Sequence, residues 1–140
     1  MKKILTCLDA SPRAVHVLAA AVDLARRTGA KLVLFRSVGL PPELAHDDVF
    51  GVSPNRLVDR LLESARASLE KLGAEVPPGL LEGMEVRVGT PWNAICAEAT
   101  AVEADLIVIG SHGYSGIDRI LGTTAAKVVN HADRSVLVVR

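Results

Sequence analysis

The 140-residue sequence is long enough for one domain with a sizeable core. Sixteen basic residues balance sixteen acidic ones, so the chain lacks the basic excess that favours nucleic acid or an anionic membrane surface. Hydrophobic residues make up 49% and aromatic residues only 3%, which predicts an aliphatic core with close contacts between helices and sheet. We expect neither nucleic acid nor membrane as a partner.

The start of the sequence predicts a cytoplasmic protein. Met1 to Leu5 lead directly into a predicted strand, and an aspartate follows at position 9. This leaves no apolar segment typical of a signal peptide and no run long enough to span a bilayer. In a reducing compartment we expect Cys7 and Cys96 to remain buried thiols rather than to form a disulfide.

The first predicted strand, Lys3–Leu8, is followed by a helix with a clear start and end. Ser11 is a suitable N-cap and Pro12 suits the first helical position, after which apolar residues recur at helical spacing up to Gly29. A second strand is predicted at Lys31–Val38. These three elements form a strand, helix and strand unit.

The middle of the chain repeats the same pattern. Ser53 and Pro54 open a second helix that ends at Gly73, and a third strand is predicted at Met84–Val88. Thr90 and Pro91 then open a third helix, because threonine caps helices well and proline tolerates the first helical position.

The fourth strand, Leu106–Ile109, is an unbroken apolar run typical of a central parallel strand covered on both faces. From Gly110 to Gly122 the chain carries four glycines, and a helix from about Thr124 to Ala132 and a fifth strand at Ser135–Val139 follow. A glycine-containing turn and the free N–H groups of the next helix together favour a phosphate site.

Strict alternation of strands and helices predicts the fold class. It indicates right-handed crossovers and a single open parallel sheet flanked by helices, an α/β fold of the Rossmann-like kind. No linker or internal repeat divides residues 1–140, so we expect one domain. Ligands of such sheets bind beyond the carboxyl ends of the strands.

Two common nucleotide-binding motifs are missing from the sequence. A P-loop requires Gly-Lys-Ser/Thr at a helix start, and the chain has none. A dinucleotide fingerprint requires Gly-x-Gly-x-x-Gly after the first strand, whereas here the first turn begins Asp9-Ala10-Ser11. The later glycines at 110, 113 and 116 have a different spacing, so NAD and FAD are disfavoured.

The motifs that do occur resemble those of the universal stress protein family, the UspA superfamily, over essentially the whole chain. They are Asp9-x-Ser11 after the first strand, Gly89-Thr90-Pro91, the run from Leu106 to Gly113, Gly122-Thr123, and the C-terminal segment Ser135–Arg140. The resemblance implies strand order 3-2-1-4-5 and ATP bound at the carboxyl edge, where the first and fourth strands lie side by side.

ATP-binding members of that family carry Gly-x2-Gly-x9-Gly-Ser/Thr. Gly110, Gly113 and Gly122-Thr123 match, but only eight residues separate Gly113 from Gly122, so the loop is one residue short. The resemblance implies that Asp9 lies near the adenine and ribose and that the backbone around Val38 recognises adenine. For the ribose and α-phosphate it implies Ile109, Gly110, His112 and Gly113. For the β- and γ-phosphates it implies Gly122, Thr123 and Thr124.

Each of these residues also has a purely structural interpretation. Asp9 can end a strand and cap a helix, His112 can be solvated at a loop tip, and Thr123 and Thr124 are ordinary N-cap residues. The cluster His46-Asp47-Asp48 has residue types that bind metals, but a solvated loop is the better interpretation because no partner ligands are identifiable.

Two functions therefore stay open. The first is an adenine-nucleotide-binding regulatory or stress-response protein that takes ATP, ADP or AMP, with at most slow ATP hydrolysis and with Mg²⁺ or Mn²⁺ entering with the nucleotide. The alternative is a dimeric interaction module of the same family that does not bind ATP. No catalytic constellation is evident from the spacing of the residues.

The fifth strand predicts a homodimer. In the implied strand order, Ser135–Val139 is an edge strand without the proline or interior charge that protects such edges. Antiparallel pairing with a second copy would satisfy its open backbone groups through one self-complementary surface. A monomer whose edge is covered by the loop at 39–51 is the alternative.

Overall fold

The structure is a computed structural model that describes residues 1–40, 54–111 and 120–140. Strands and helices alternate along the described chain as the sequence predicts. The elements are β1 (Lys3–Cys7), α1 (Ala14–Thr28), β2 (Lys31–Val38), α2 (Pro54–Gly73), β3 (Leu81–Val88), α3 (Pro91–Ala101), β4 (Leu106–Gly110), α4 (Thr123–His131) and β5 (Ser135–Val139).

The five strands form one parallel sheet in the order β3-β2-β1-β4-β5. The expected fold class and strand order are confirmed. β1 lies at the centre, where Cys7 is level with Phe35 of β2 and with Ile109 of β4. The chain thus moves outward from β1 in one direction to β2 and β3, and in the other direction to β4 and β5.

The core has two layers because neighbouring residues of a strand face opposite sides of the sheet. Ile4 packs in a cluster with the apolar faces of α1 and α2, whereas the adjacent Leu5 packs in a second cluster with residues of α3 and α4. Phe35 is fully buried in the second cluster, and burying a side chain of this size contributes about 1.5–3 kcal/mol. Both faces of the central strands are therefore covered.

The start of α1 differs from the prediction. The helix begins at Ala14 rather than Pro12, and its N-cap is Arg13 rather than Ser11. The N–H and hydroxyl of Ser11 both donate to Oδ1 of Asp9, at 2.9 and 2.6 Å, so this serine stabilises the preceding turn instead of capping the helix. At the other end, Gly29 has a φ of 75° and terminates α1 as predicted.

β3 is longer than predicted, starting at Leu81 instead of Met84. Leu81 pairs with Leu32, so the pairing with β2 extends almost to the first residue of each strand. The sequence pattern missed this start because Glu82 and Gly83 are weak strand formers, and pairing with β2 outweighs that preference.

Two side chains fasten the amino edge of the sheet. Oδ2 of Asp105 accepts hydrogen bonds from the backbone N–H groups of Lys2 and Lys3, at 2.7 and 2.9 Å. Nη1 of Arg134 donates to the carbonyl oxygens of Ala99 and Ala104, at 2.7 and 2.8 Å. With β1, α3 and β5 held at this edge, the opposite carboxyl edge is where the remaining polar loops meet.

Cys7 and Cys96 are free thiols, the first buried and the second partly buried. Within residues 1–40, 54–111 and 120–140, no helix has the length and apolar character needed to cross a bilayer. The cytoplasmic location stays a prediction, and the His46-Asp47-Asp48 cluster lies outside the described residues.

Candidate functional site

A cavity of about 180 Å³ lies at the carboxyl edge of the sheet, and we call it the strand-end cavity. The ends of β1, β2 and β4 and the starts of α1, α3 and α4 all contribute to its wall. The described residues that line it are Cys7, Leu8, Asp9, Ser11, Arg13, Ala14, Val17, Phe35, Arg36, Ser37, Pro91, Ile95, Ile109, Gly110 and Thr124.

The cavity brings together four of the residues singled out by the sequence. Asp9 follows β1, Ile109 and Gly110 end β4, and Thr124 lies in the first turn of α4. They meet because parallel strands place all their carboxyl ends at one edge and the following helices start there. Segments about 100 residues apart in the chain therefore share one wall.

The other predicted residues lie differently. Val38 ends β2 and packs partly buried against the core, and the described lining includes Arg36 and Ser37 in its place. Gly122 and Thr123 begin α4 beside Thr124, with Thr123 exposed. His112 and Gly113 lie outside the described residues.

Asp9 is an exposed carboxylate in the turn between β1 and α1. Its Oδ1 accepts the two hydrogen bonds from Ser11 described above, which fix the orientation of the carboxylate. With its orientation fixed in this way, Asp9 presents a hydrogen-bond acceptor to the cavity. A group of this kind suits a ligand hydroxyl or amino group.

The start of α4 is joined to the end of β4 through Ser111. The N–H of Ser111 donates to the carbonyl oxygen of Val139 at 2.8 Å, and the N–H of Gly122 donates to the carbonyl oxygen of Ser111 at 2.7 Å. The Gly122 N–H is therefore engaged within the protein. Because its N-cap residue is a glycine, α4 has no side chain at that position to cap the N–H groups of its first turn.

Part of the cavity lining is apolar. Leu8, Val17, Phe35 and Ile95 are all buried there. Burial raises the pKa of the Cys7 thiol, and the neighbouring Cys96 raises it further. This thiol stays protonated at neutral pH and is a poor nucleophile, because the reactive form of cysteine is the thiolate.

Sequence reasoning missed two arginines of the lining. Arg13 lies at the N-cap of α1 and is half-buried. Arg36 is 7% exposed, and it donates from Nε to the carbonyl oxygen of Leu8 at 3.0 Å and from Nη2 to that of Asp9 at 2.7 Å. One signal could have identified Arg36: it is a charged residue directly after the apolar run Leu32–Phe35 of β2.

A larger groove of about 580 Å³ lies elsewhere, between α1 and the end of α2. Its apolar lining includes Leu18, Val22, Leu72 and Pro77. No strand end contributes to the described lining of this groove, so it lacks the convergent backbone groups of the strand-end cavity.

The described side chains form no metal site of their own. Across the part of the chain that the structure describes, no group of three or more His, Cys, Asp or Glu residues could hold a metal ion. The strand-end cavity combines buried apolar side chains, the Asp9 carboxylate, two arginines with interactions of their own and the start of α4.

Comparisons with known proteins agree with this architecture. The profile of the Universal stress protein family matches residues 1–140. Universal stress protein A homolog 1 of Coxiella burnetii is 30% identical, in an alignment covering 99% of this chain and 95% of that protein.

Two solved structures extend the comparison. The hypothetical protein MJ0577 superposes with a TM-score of 0.83 at 26% identity, covering 99% of this chain and 94% of its own. A universal stress protein in complex with cAMP superposes with a TM-score of 0.62 at 25% identity, covering 99% and 97%. In both cases the similarity extends across nearly the whole chain.

Proposed function

We propose that this chain, which belongs to the universal stress protein family, binds an adenine nucleotide in the strand-end cavity and acts as a regulatory protein of the stress response. The observation that carries the proposal is the meeting of Asp9, Gly110 and Thr124 in one cavity. The cavity lies beside the ends of the neighbouring strands β1 and β4. From β1 the chain continues to β2 and β3 on one side of the sheet, and from β4 it continues to β5 on the other side. Open α/β sheets bind their ligands at such a point.

The apolar part of the cavity lining suits an adenine ring. A buried surface formed by Phe35, Val17 and Ile95 can cover the faces of a flat base, while backbone groups near the end of β2 offer edge contacts. A volume of about 180 Å³ is smaller than the roughly 300–1000 Å³ of sites that enclose a drug-sized ligand. We therefore place the base and ribose in the cavity, with the phosphates extending beyond it.

The start of α4 suits the phosphates. The N–H groups in the first turn of a helix and its dipole favour anions, and Thr123 and Thr124 add hydroxyl groups. Because the Gly122 N–H already donates to Ser111, we assign phosphate binding to Thr123, Thr124 and Gly110 rather than to that N–H. His112 and Gly113, which the family resemblance adds to this set, lie outside the described residues.

The charge of the lining also supports an anionic ligand. Its described side chains include two arginines, Arg13 and Arg36, and one aspartate, Asp9. Arginine is a residue type that commonly binds phosphate, so this lining suits a phosphate-bearing ligand.

The similarity to a universal stress protein in complex with cAMP supports the adenine class of ligand. We extend the proposal to AMP, ADP and ATP, whose phosphates we assign to the start of α4 beyond the cavity. Mg²⁺ or Mn²⁺ would then be held mainly by phosphate oxygens, since the described side chains include no cluster of metal ligands.

Any hydrolysis of ATP is proposed to be slow. Asp9 is the carboxylate of the described lining, and its Oδ1 already accepts two hydrogen bonds from Ser11, so that oxygen is engaged within the protein and is poorly placed to take a proton from an attacking water. The chemistry of the site suits binding and release better than turnover.

A dimeric interaction module that does not bind ATP is the second candidate. The engaged N–H of Gly122 and the short spacing between Gly113 and Gly122 favour it. In either case we propose a homodimer through β5, because β5 is an edge strand and Leu137 on it is 40% exposed.

Isothermal titration calorimetry with AMP, ADP and ATP separates the two candidates. Saturable binding with one site per chain supports nucleotide binding, and no heat with any of the three nucleotides at millimolar concentration leaves the interaction module. A parallel phosphate-release assay tests turnover, and a rate above about 1 per second would contradict the regulatory role.

A further inference from the structure

Arg36 occupies an unusual place for an arginine. It lies in β2 with 7% of its surface exposed, between the sheet and the start of α1. Burying a charged side chain costs more than burying an apolar one of similar size, so a methionine would fill this space at lower cost. The presence of arginine here calls for a role that depends on its hydrogen bonds.

The two carbonyl groups that it binds are neighbours in the chain. The carbonyl of Leu8 belongs to the peptide group before the Cα of Asp9, and the carbonyl of Asp9 belongs to the peptide group after it. Nε of Arg36 donates to the first at 3.0 Å and Nη2 to the second at 2.7 Å. Because a guanidinium is planar and rigid, one side chain fixes both peptide groups relative to each other.

Ser11 completes this arrangement from the other side. Its N–H and hydroxyl donate to Oδ1 of Asp9 at 2.9 and 2.6 Å. The backbone of Asp9 is thus held by Arg36 and its carboxylate by Ser11.

We propose that Arg36 is a positioning residue, which orients Asp9 toward the sugar of the bound nucleotide and thereby sets a preference for ribose over deoxyribose. The inference rests on the proposed function, which places the ribose in the cavity that Asp9 lines. A site that hydrogen-bonds a ligand hydroxyl discriminates against the analogue that lacks it only while its acceptor is held in place. Loss of Arg36 therefore weakens discrimination as well as affinity.

The chain offers a matched control in Arg134. This arginine also donates to two backbone carbonyls, those of Ala99 and Ala104, but at the amino edge of the sheet and away from the cavity. Arg36→Met and Arg134→Met remove the same kind of interaction from the two edges. A loss of general stability affects both variants, whereas a loss of positioning affects only Arg36→Met.

The first measurement needs no ligand. ¹⁵N relaxation of the Asp9 and Ala10 amides reports on the two peptide groups that Arg36 holds. We expect order parameters of about 0.85 in the wild type and in Arg134→Met, and below about 0.6 in Arg36→Met. Unchanged order parameters in Arg36→Met would overturn the inference.

The second measurement compares AMP with 2′-deoxy-AMP by calorimetry. We expect wild type and Arg134→Met to prefer AMP by about tenfold, and Arg36→Met to lose most of that preference. Arg36→Lys should keep part of it, because a lysine ammonium can reach one of the two carbonyls.

The outcomes separate the inference from the proposed function. A wild type that binds neither nucleotide contradicts the proposed function, and the inference falls with it. A wild type that prefers AMP, together with an Arg36→Met variant that keeps the same preference, overturns the inference and leaves the proposed function in place.

Discussion

Asp9, in the turn after β1, and Thr124, in the first turn of α4, line the same cavity although 115 positions separate them in the sequence. The parallel sheet creates this proximity, because it places the ends of β1 and β4 side by side. A hydrogen-bond acceptor and a helix start therefore line one cavity. The predictions on ligand binding follow from this pairing.

The first prediction concerns Asp9. Asp9→Ala should weaken AMP binding by about tenfold, because the ligand loses one charge-assisted hydrogen bond. Asp23→Ala is the charge-matched control, since Asp23 is an exposed residue of α1 that pairs with Arg27. Calorimetry of the two variants checks the effect, and equal affinities for both would show that Asp9 makes no contact with the nucleotide.

The second prediction concerns the subunit interface. The wild type should have about twice the mass of one 14.8 kDa chain, and Leu137→Lys should convert it to a monomer by placing like charges at the two-fold axis. Met84→Lys is the control, because Met84 is similarly exposed on β3, the outer strand on the other side of the sheet. Light scattering coupled to size-exclusion chromatography measures the masses. A wild-type monomer at micromolar concentration rules out the dimer.

The third prediction concerns the amino edge of the sheet. Arg134→Met should lower the free energy of unfolding by about 1–3 kcal/mol, because it leaves the buried carbonyls of Ala99 and Ala104 without this donor. Arg27→Met removes an exposed ion pair with Asp23 and should cost less than about 0.5 kcal/mol. Urea unfolding gives both values, and a smaller loss for Arg134→Met than for Arg27→Met would contradict the prediction.

The sequence alone predicted the layers of this fold well, for physical reasons that particular residues illustrate. Apolar runs such as Leu106–Ile109 are unambiguous when both faces are buried, and Gly29 ends α1 because it adopts a positive φ. The predicted start of α1 was wrong because Ser11 donates hydrogen bonds to Asp9 instead of capping the helix. Local hydrogen-bond competition of this kind is not visible in a sequence pattern.

The candidate site was predicted less completely. Asp9, Gly110 and Thr124 were identified through motifs that resemble a family, and the structure brings them to one cavity. Arg13 and Arg36 were missed because their place in the site depends on long-range packing between β2, β1 and α1. Side chains that hold a turn through its backbone carbonyls, as Arg36 does, have no sequence motif of their own.

The fourth prediction concerns the pH dependence of stability. Hydrogen bonds from the backbone N–H groups of Lys2 and Lys3 lower the pKa of Asp105 below its usual range. Because the pKa in the folded state lies below the unfolded value of about 3.9, this contribution is present above that pH and is lost as the pH falls through the folded pKa.

The variant that tests this linkage is Asp105→Asn. Between about pH 5 and pH 2 the wild type should lose more stability than Asp105→Asn, since the amide side chain does not titrate in that range. Urea unfolding at several pH values measures the difference. Parallel pH profiles for the two proteins would show that the hydrogen bonds from Lys2 and Lys3 do not stabilise the ionised carboxylate.

The central claim is that an adenine nucleotide binds at the carboxyl edge of the sheet, and one titration tests it most directly. ¹⁵N-labelled wild type is titrated with AMP and followed by two-dimensional NMR. We predict saturable chemical-shift changes of the Ser11, Gly110 and Thr124 amides. The amide of Lys31, which begins β2 at the amino ends of the strands, should change little. No shift of these three amides at millimolar AMP, or shifts confined to the amino edge, would contradict the claim.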